Sequence, residues 1–118
     1  MKDYKRFEDL EIWKEGMEIC KDVYVLLETC NDYGLKAQMQ RAAVSIPSNI
    51  AEGYERHGVK EQQQFMFIAK ASCGELRTQL YLAVFLKYIP PETGDILINR
   101  ILKLSIKIFN YIQFLNKP

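Results

Sequence analysis

Residues 34–53 read GLKAQMQRAAVSIPSNIAEG, and two stripes run side by side through them. Leu35, Met39, Ala42, Ala43, Ile46 and Ile50 recur at helical spacing and form one apolar face. Gln38, Arg41, Ser45, Asn49 and Glu52 recur three and four residues apart and form a polar stripe beside it. This pattern predicts a helix from about Leu35 to Tyr54. Pro47 falls inside it. Proline has no amide hydrogen and crowds the carbonyl four residues back, that of Ala43, so a kink is expected there. Ser45, Ser48 and Asn49 stand close enough to satisfy the freed backbone groups.

Breakers on either side divide the chain into four periodic segments. Asn31-Asp32-Tyr33-Gly34 is a turn signal, the stretch from Gly53 to Gly58 is a second weak point, and Pro90-Pro91 with Thr93-Gly94 is a third. The first segment predicts a helix from about Glu8 to Thr29, with Leu10, Trp13, Met17, Cys20, Tyr24 and Leu27 as its bundle seam. The third predicts a helix from about Val59 to Tyr88, and the fourth one from about Glu92 to Leu115. Short links between long helices make neighbours antiparallel. The expected fold is all-α: a single domain over 1–118, an up-down-up-down four-helix bundle with its second helix kinked at Pro47.

Folding helices two and three into a hairpin about Gly58 places residues at equal height when their numbers sum to about 116. Arg41 then meets Glu75, Gln38 meets Gln79, and Ser45 meets Ser72. The three pairs are chemically complementary. They predict a polar network that fixes register, with Arg41 and Glu75 as a buried or half-buried charge pair.

The composition is that of an ordinary folded domain, 48% hydrophobic and 26% charged over 118 residues. No apolar run follows the opening Met-Lys-Asp-Tyr-Lys-Arg, so a secretory signal is not expected. Asn99, Arg100, Lys103 and Lys107 interrupt the apolar stretch 96–115, which argues against a membrane span. A cytoplasmic protein is expected. Three cysteines, Cys20, Cys30 and Cys73, show neither disulfide-framework nor zinc-site spacing. His57, the single histidine, lies in a polar loop with no ligand partner at suitable spacing. Gly53, Gly58 and Gly74 do not make a phosphate-cradling loop. Catalytic, cofactor and metal residues are therefore expected to be absent, and the chain to be non-enzymatic.

Charge is uneven although the net is only +1. Residues 1–32 hold five Lys/Arg against nine Asp/Glu, and residues 33–118 hold eleven against six. Helix four is apolar around most of its circumference, so one side should meet the core and another a second copy of the chain. Its narrow remaining face carries Arg100, Lys103, Lys107 and Asn110, and no acid lies between Ile96 and Pro118. Arg100, Lys103 and Lys107 are the candidate contacts to an RNA or DNA backbone, in a stripe that a closed ring would repeat.

The run Arg41-Ala42-Ala43-Val44-Ser45-Ile46-Pro47-Ser48-Asn49-Ile50-Ala51-Glu52-Gly53, with Gly34-Leu35 and Gln38 before it, resembles the signature of a bacterial four-helix-bundle family. Some members are encoded by intervening sequences within 23S ribosomal RNA genes. The likeness extends to Phe7-Glu8-Asp9-Leu10 and Trp13, and to Phe65, Ala69, Ser72, Glu75-Leu76 and Gln79-Leu80. It implies a ring-shaped homo-oligomer, typically a pentamer. The family also resembles the accessory protein of diversity-generating retroelements, a pentameric bundle associated with nucleic acid and a reverse transcriptase. Three positions depart from the pattern: Gly58 stands where a Ser or Thr cap is usual, a Gly is usual near Lys87, and the Pro90-Pro91 pair is foreign to it. Two functions follow as expectations. One is an oligomeric accessory factor that binds nucleic acid beside a nucleic-acid-processing enzyme. The other is a protein–protein scaffold or adaptor with no nucleic-acid role.

Overall fold

Asp32 starts the second helix: its Oδ1 accepts a hydrogen bond from the Leu35 amide at 3.1 Å, which satisfies one of the donors left free at a helix start. In this computed structural model, which describes residues 6–117, a 3-10 turn at Phe7–Asp9 is followed by four helices. They are α1 (Glu11–Leu26), α2 (Tyr33–Tyr54), α3 (Val59–Phe85) and α4 (Pro91–Leu115). Pro91 occupies the first position of α4, where its missing amide hydrogen costs nothing. Helix α2 continues unbroken through Pro47. The expected first helix is shorter than its apolar pattern, because the chain turns in 3-10 fashion before Leu10 and opens again after Leu26.

The contacts between helices run in opposite sequence order, so neighbours are antiparallel. Ser45 on α2 meets Ser72 on α3, and Gly53 lies against Gln62 and Phe65. On the other side of α3, Gln63 reaches the Ile112 carbonyl, Lys70 lies over the Phe109 ring, and Val84 packs against Gly94. Between α1 and α4, Glu15 meets Lys107 and Asp22 meets Arg100. The bundle is therefore up-down-up-down, a rod of 53 × 20 × 20 Å. Its axis is filled by Ile19 and Leu27 of the N-terminal segment, Met39, Ile46 and Ile50 of α2, Met66, Leu76 and Leu80 of α3, and Ile101, Leu104, Ile108 and Ile112 of α4, all fully buried.

The α2 stripe is buried as expected, with only Leu35 partly open. The α1 seam is the predicted one only in part. Leu27 is buried as expected and Leu10, Trp13 and Cys20 pack partly buried against the core, but Met17 and Tyr24 are exposed, and Ile12, Gly16, Ile19 and Val23 take the inner face. A glycine does not count as apolar in a periodicity, yet Gly16 is buried in α1 beside Ile46 and Pro47. Trp13 is displaced toward the N-terminal turn, where its ring meets Phe7 edge-on at 5.5 Å. No helix among the described residues is long and apolar enough to cross a membrane.

Candidate nucleic-acid interface

The α4 stripe does not lie free on the surface. Arg100 donates to Asp22 Oδ2 at 2.7 Å, and Lys107 donates to Glu15 Oε2 at 2.8 Å. Glu15 holds the Lys107 ammonium charged to higher pH than usual, by its hydrogen bond first and its charge second. These cations line an open groove of about 380 Å³ between α1 and α4. Lys14, Lys103, Glu11 and Glu18 share it, and Ile19 forms part of its lining. Lys103 is the member of the stripe with no ion pair among the described residues. The sequence expectation of an unneutralised stripe is thus corrected. The neutralising acids come from the first helix, not from α4. A signal for them existed: Glu15 and Asp22 are seven residues apart, as are Arg100 and Lys107, so antiparallel neighbours bring both pairs together at once.

The polar stripes of α2 and α3 meet in the predicted register but form a smaller network. The Ser45 and Ser72 hydroxyls are 2.8 Å apart, and the Asn49 amide donates to the Ser45 hydroxyl at 2.9 Å and to its carbonyl at 2.8 Å. Asn49 thus serves Ser45, not the carbonyl of Ala43. Arg41 and Glu75 are both exposed, and no ion pair joins them among the described residues. The expected charge pair is corrected: equal height is not equal face, and both side chains point off the seam into solvent. Gln38 is exposed, while Gln79 is buried with its Oε1 unpartnered among the described residues. Glu52 reaches forward past the end of its helix to Arg56 in the following turn, 2.6 Å away.

Apolar side chains crowd the outer surface. On α4, Ile96, Leu102, Ile106, Phe109 and Phe114 are exposed, as the wide apolar pattern implied. Helix α3 carries a second such face, with Phe67, Ile68, Tyr81 and Leu82 exposed and Phe85 at 80%. The two faces adjoin, since Lys70 of α3 lies 6.0 Å from the Phe109 ring centroid on α4.

Residues 8–110 match the family model of the 23S rRNA-intervening sequence protein. The chain belongs to that family. The solved structure of a protein of unknown function from the S23 ribosomal protein family of Bacteroides thetaiotaomicron is similar, with a TM-score of 0.81 at 19% identity. The match covers 86% of this chain and 97% of that one. No curated protein matches it.

The departures from the family pattern can be followed in the structure. Gly58 caps α3 with no side-chain hydrogen bond, and the Gln62 side chain ties the turn instead, donating to the Arg56 carbonyl at 2.8 Å. Lys87 adopts the left-handed conformation, φ 66°, that a glycine takes most easily. Tyr88 and Lys87 donate their amides to the carbonyls of Ala83 and Val84 at 2.9 and 3.0 Å, a Schellman closure of α3. The cysteines of this family member are inward-facing: Cys73 is buried, and burial pushes its thiol up to about 12 against the opposing pull of Arg77 and Lys70. His57 is exposed. Among the described residues no group of three His, Cys, Asp or Glu stands close enough to hold a metal ion.

Proposed function

We propose that this chain is a non-enzymatic assembly module of the cytoplasm. Bundles join through the outer faces of α3 and α4 into a closed homo-oligomer, which we take to hold five copies, the number the family resemblance implies. The assembly presents the α1/α4 groove to a nucleic-acid backbone as an accessory to a nucleic-acid-processing enzyme. The observation that supports assembly is the adjoining pair of apolar faces, since a helix that is apolar nearly all round is normally covered on both sides. The family's description, which names 23S rRNA, and the cations Lys14, Lys103, Arg100 and Lys107 in one groove support the nucleic-acid part. One groove binds weakly, because few counterions are released, so affinity depends on how many copies the assembly brings together.

Sedimentation at micromolar concentration tests the first step. An oligomer is expected, and Ile106→Asp is expected to dissociate it without loss of helical signal. A monomeric wild-type chain overturns it. The second step is tested by binding of labelled RNA and DNA at two salt concentrations, with Arg100, Lys103 and Lys107 changed together to Gln. Unchanged binding in that variant excludes the stripe. The pairing of Arg100 and Lys107 with α1 favours the second reading, a protein–protein scaffold with no nucleic-acid role. That reading holds if the wild-type chain binds no nucleic acid at low salt.

A further inference from the structure

We infer that Glu15 and Asp22 act as a built-in competitor for phosphate, holding Lys107 and Arg100 until a polyanion displaces them. This rests on the nucleic-acid reading above and adds the regulation of that groove. The geometry has three parts. The two carboxylates sit at 2.8 and 2.7 Å from the two cations, the distances of charge-assisted hydrogen bonds. A phosphate oxygen makes the same bond to the same donors, so both cannot be bound at full strength. The pairs are also open to solvent: Arg100 and Asp22 are each 40% exposed, and Lys107 and Glu15 are 48% and 33% exposed. Exposed ion pairs are weak, so a multiply charged ligand can open them.

Lys103 supplies the third part. It lies on α4 between Arg100 and Lys107, in the same groove, with no ion pair among the described residues. A phosphate backbone lands there first and then gains Arg100 and Lys107 as their carboxylates swing into water. The segment 96–118 has no acid of its own, and among the described residues the acids paired with the stripe are Glu15 and Asp22 of α1. Binding is consequently graded. A short or singly charged anion meets Lys103 and Lys14, which have no ion pair among the described residues, whereas a long backbone also recovers Arg100 and Lys107.

The test measures binding of a fluorescently labelled single-stranded RNA of mixed sequence, at several salt concentrations, to four proteins of the full chain. These are the wild type, Glu15→Gln with Asp22→Asn, Glu15→Gln alone, and a control with Glu11→Gln and Glu18→Gln. The control removes the same charge from the same groove without touching either pair to α4. Circular dichroism melts establish that each is folded. The double change at Glu15 and Asp22 is expected to bind roughly tenfold more tightly, within the range that two exposed pairs can supply. Its log–log salt slope should change little, because a long backbone contacts all three cations in both proteins. Glu15→Gln alone should give about half of that gain on a logarithmic scale, and the control little. Equal gains from the control and the double change overturn the inference, because net charge then explains both. Wild-type binding that the double change leaves unaltered overturns it while the nucleic-acid reading survives. Absence of binding by all four at low salt removes the nucleic-acid reading and the competitor with it.

Discussion

The hydroxyls of Ser45 and Ser72 lie 2.8 Å apart across the α2/α3 seam, although 27 residues separate them in the chain. Asn49 donates to the Ser45 oxygen, which leaves the Ser45 proton free to bond Ser72. Ser72 is buried, so its hydroxyl has little access to water in exchange.

Ser72→Ala should therefore destabilise the bundle by about 1–2 kcal/mol, because it strands part of the Ser45 group at a half-buried seam. Ser45→Ala combined with Ser72→Ala should cost less than the sum of the two single changes. Urea unfolding of the four proteins in a double-mutant cycle measures the difference. A coupling energy near zero would show that the pair does not hold the register.

Two glycines on the same hairpin should respond oppositely to alanine. A Cβ on Gly53 would stand 3.0 Å from the Gln62 carbonyl oxygen and 3.1 Å from Phe65 Cβ, so α3 must shift to admit it. Nothing lies within 4 Å of the corresponding point at Gly74. Gly53→Ala should lose about 1–3 kcal/mol despite the gain in helix propensity. Gly74→Ala should gain up to about 1 kcal/mol from that propensity alone. Thermal melts of the two proteins decide it, and the same sign for both would refute the close α2/α3 approach.

Lys87 carries the cost of a side chain in the left-handed region without any compensating contact that the structure shows. Lys87→Gly should stabilise by about 0.5–1 kcal/mol, the relief of that strain being partly offset by the freedom glycine adds to the unfolded chain. Denaturant titration checks the direction. The result also tests whether the Schellman closure at Ala83 and Val84, and not the lysine, ends α3.

Alkaline pH should weaken the fold through Cys73. Burial raises its thiol to about 12, while the unfolded thiol titrates near 9.0. Below pH 9 both states keep the proton and nothing is lost. Between those values the unfolded state releases the proton and the folded state does not, so stability falls as pH rises. Tyr111, raised by burial, adds to the trend in the same direction. Urea midpoints at pH 8 and pH 10.5 should differ for the wild type, and the difference should shrink in Cys73→Ala. Equal shrinkage in a Cys30→Ala control would assign the effect elsewhere.

The architecture was readable because turns and periodicity act within single segments. Leu35 to Ile50 named its own buried face, and the hairpin register followed from the shortness of the link around Gly58. What escaped depends on rotation about a helix axis, which spacing within one segment does not set. Arg41 and Glu75 share a height but not a face. Gly16 belongs to the α1 inner face beside Ile46 and Pro47, a contact visible only once both helices are in place. The same limit hid the pairing of Arg100 and Lys107, since their partners lie at the other end of the chain.

The α1/α4 seam also sets a timetable. Asp22 precedes Arg100 by 78 residues, and Glu15 precedes Lys107 by 92. At roughly 5–20 residues per second, a ribosome makes the carboxylates several seconds or more before it makes their cations. The α2/α3 hairpin closes a far shorter loop and can form in that interval, so the nascent domain waits as three helices around an unfilled trough. Ile19, which lines the α1/α4 groove, meets α4 only after that hairpin can close.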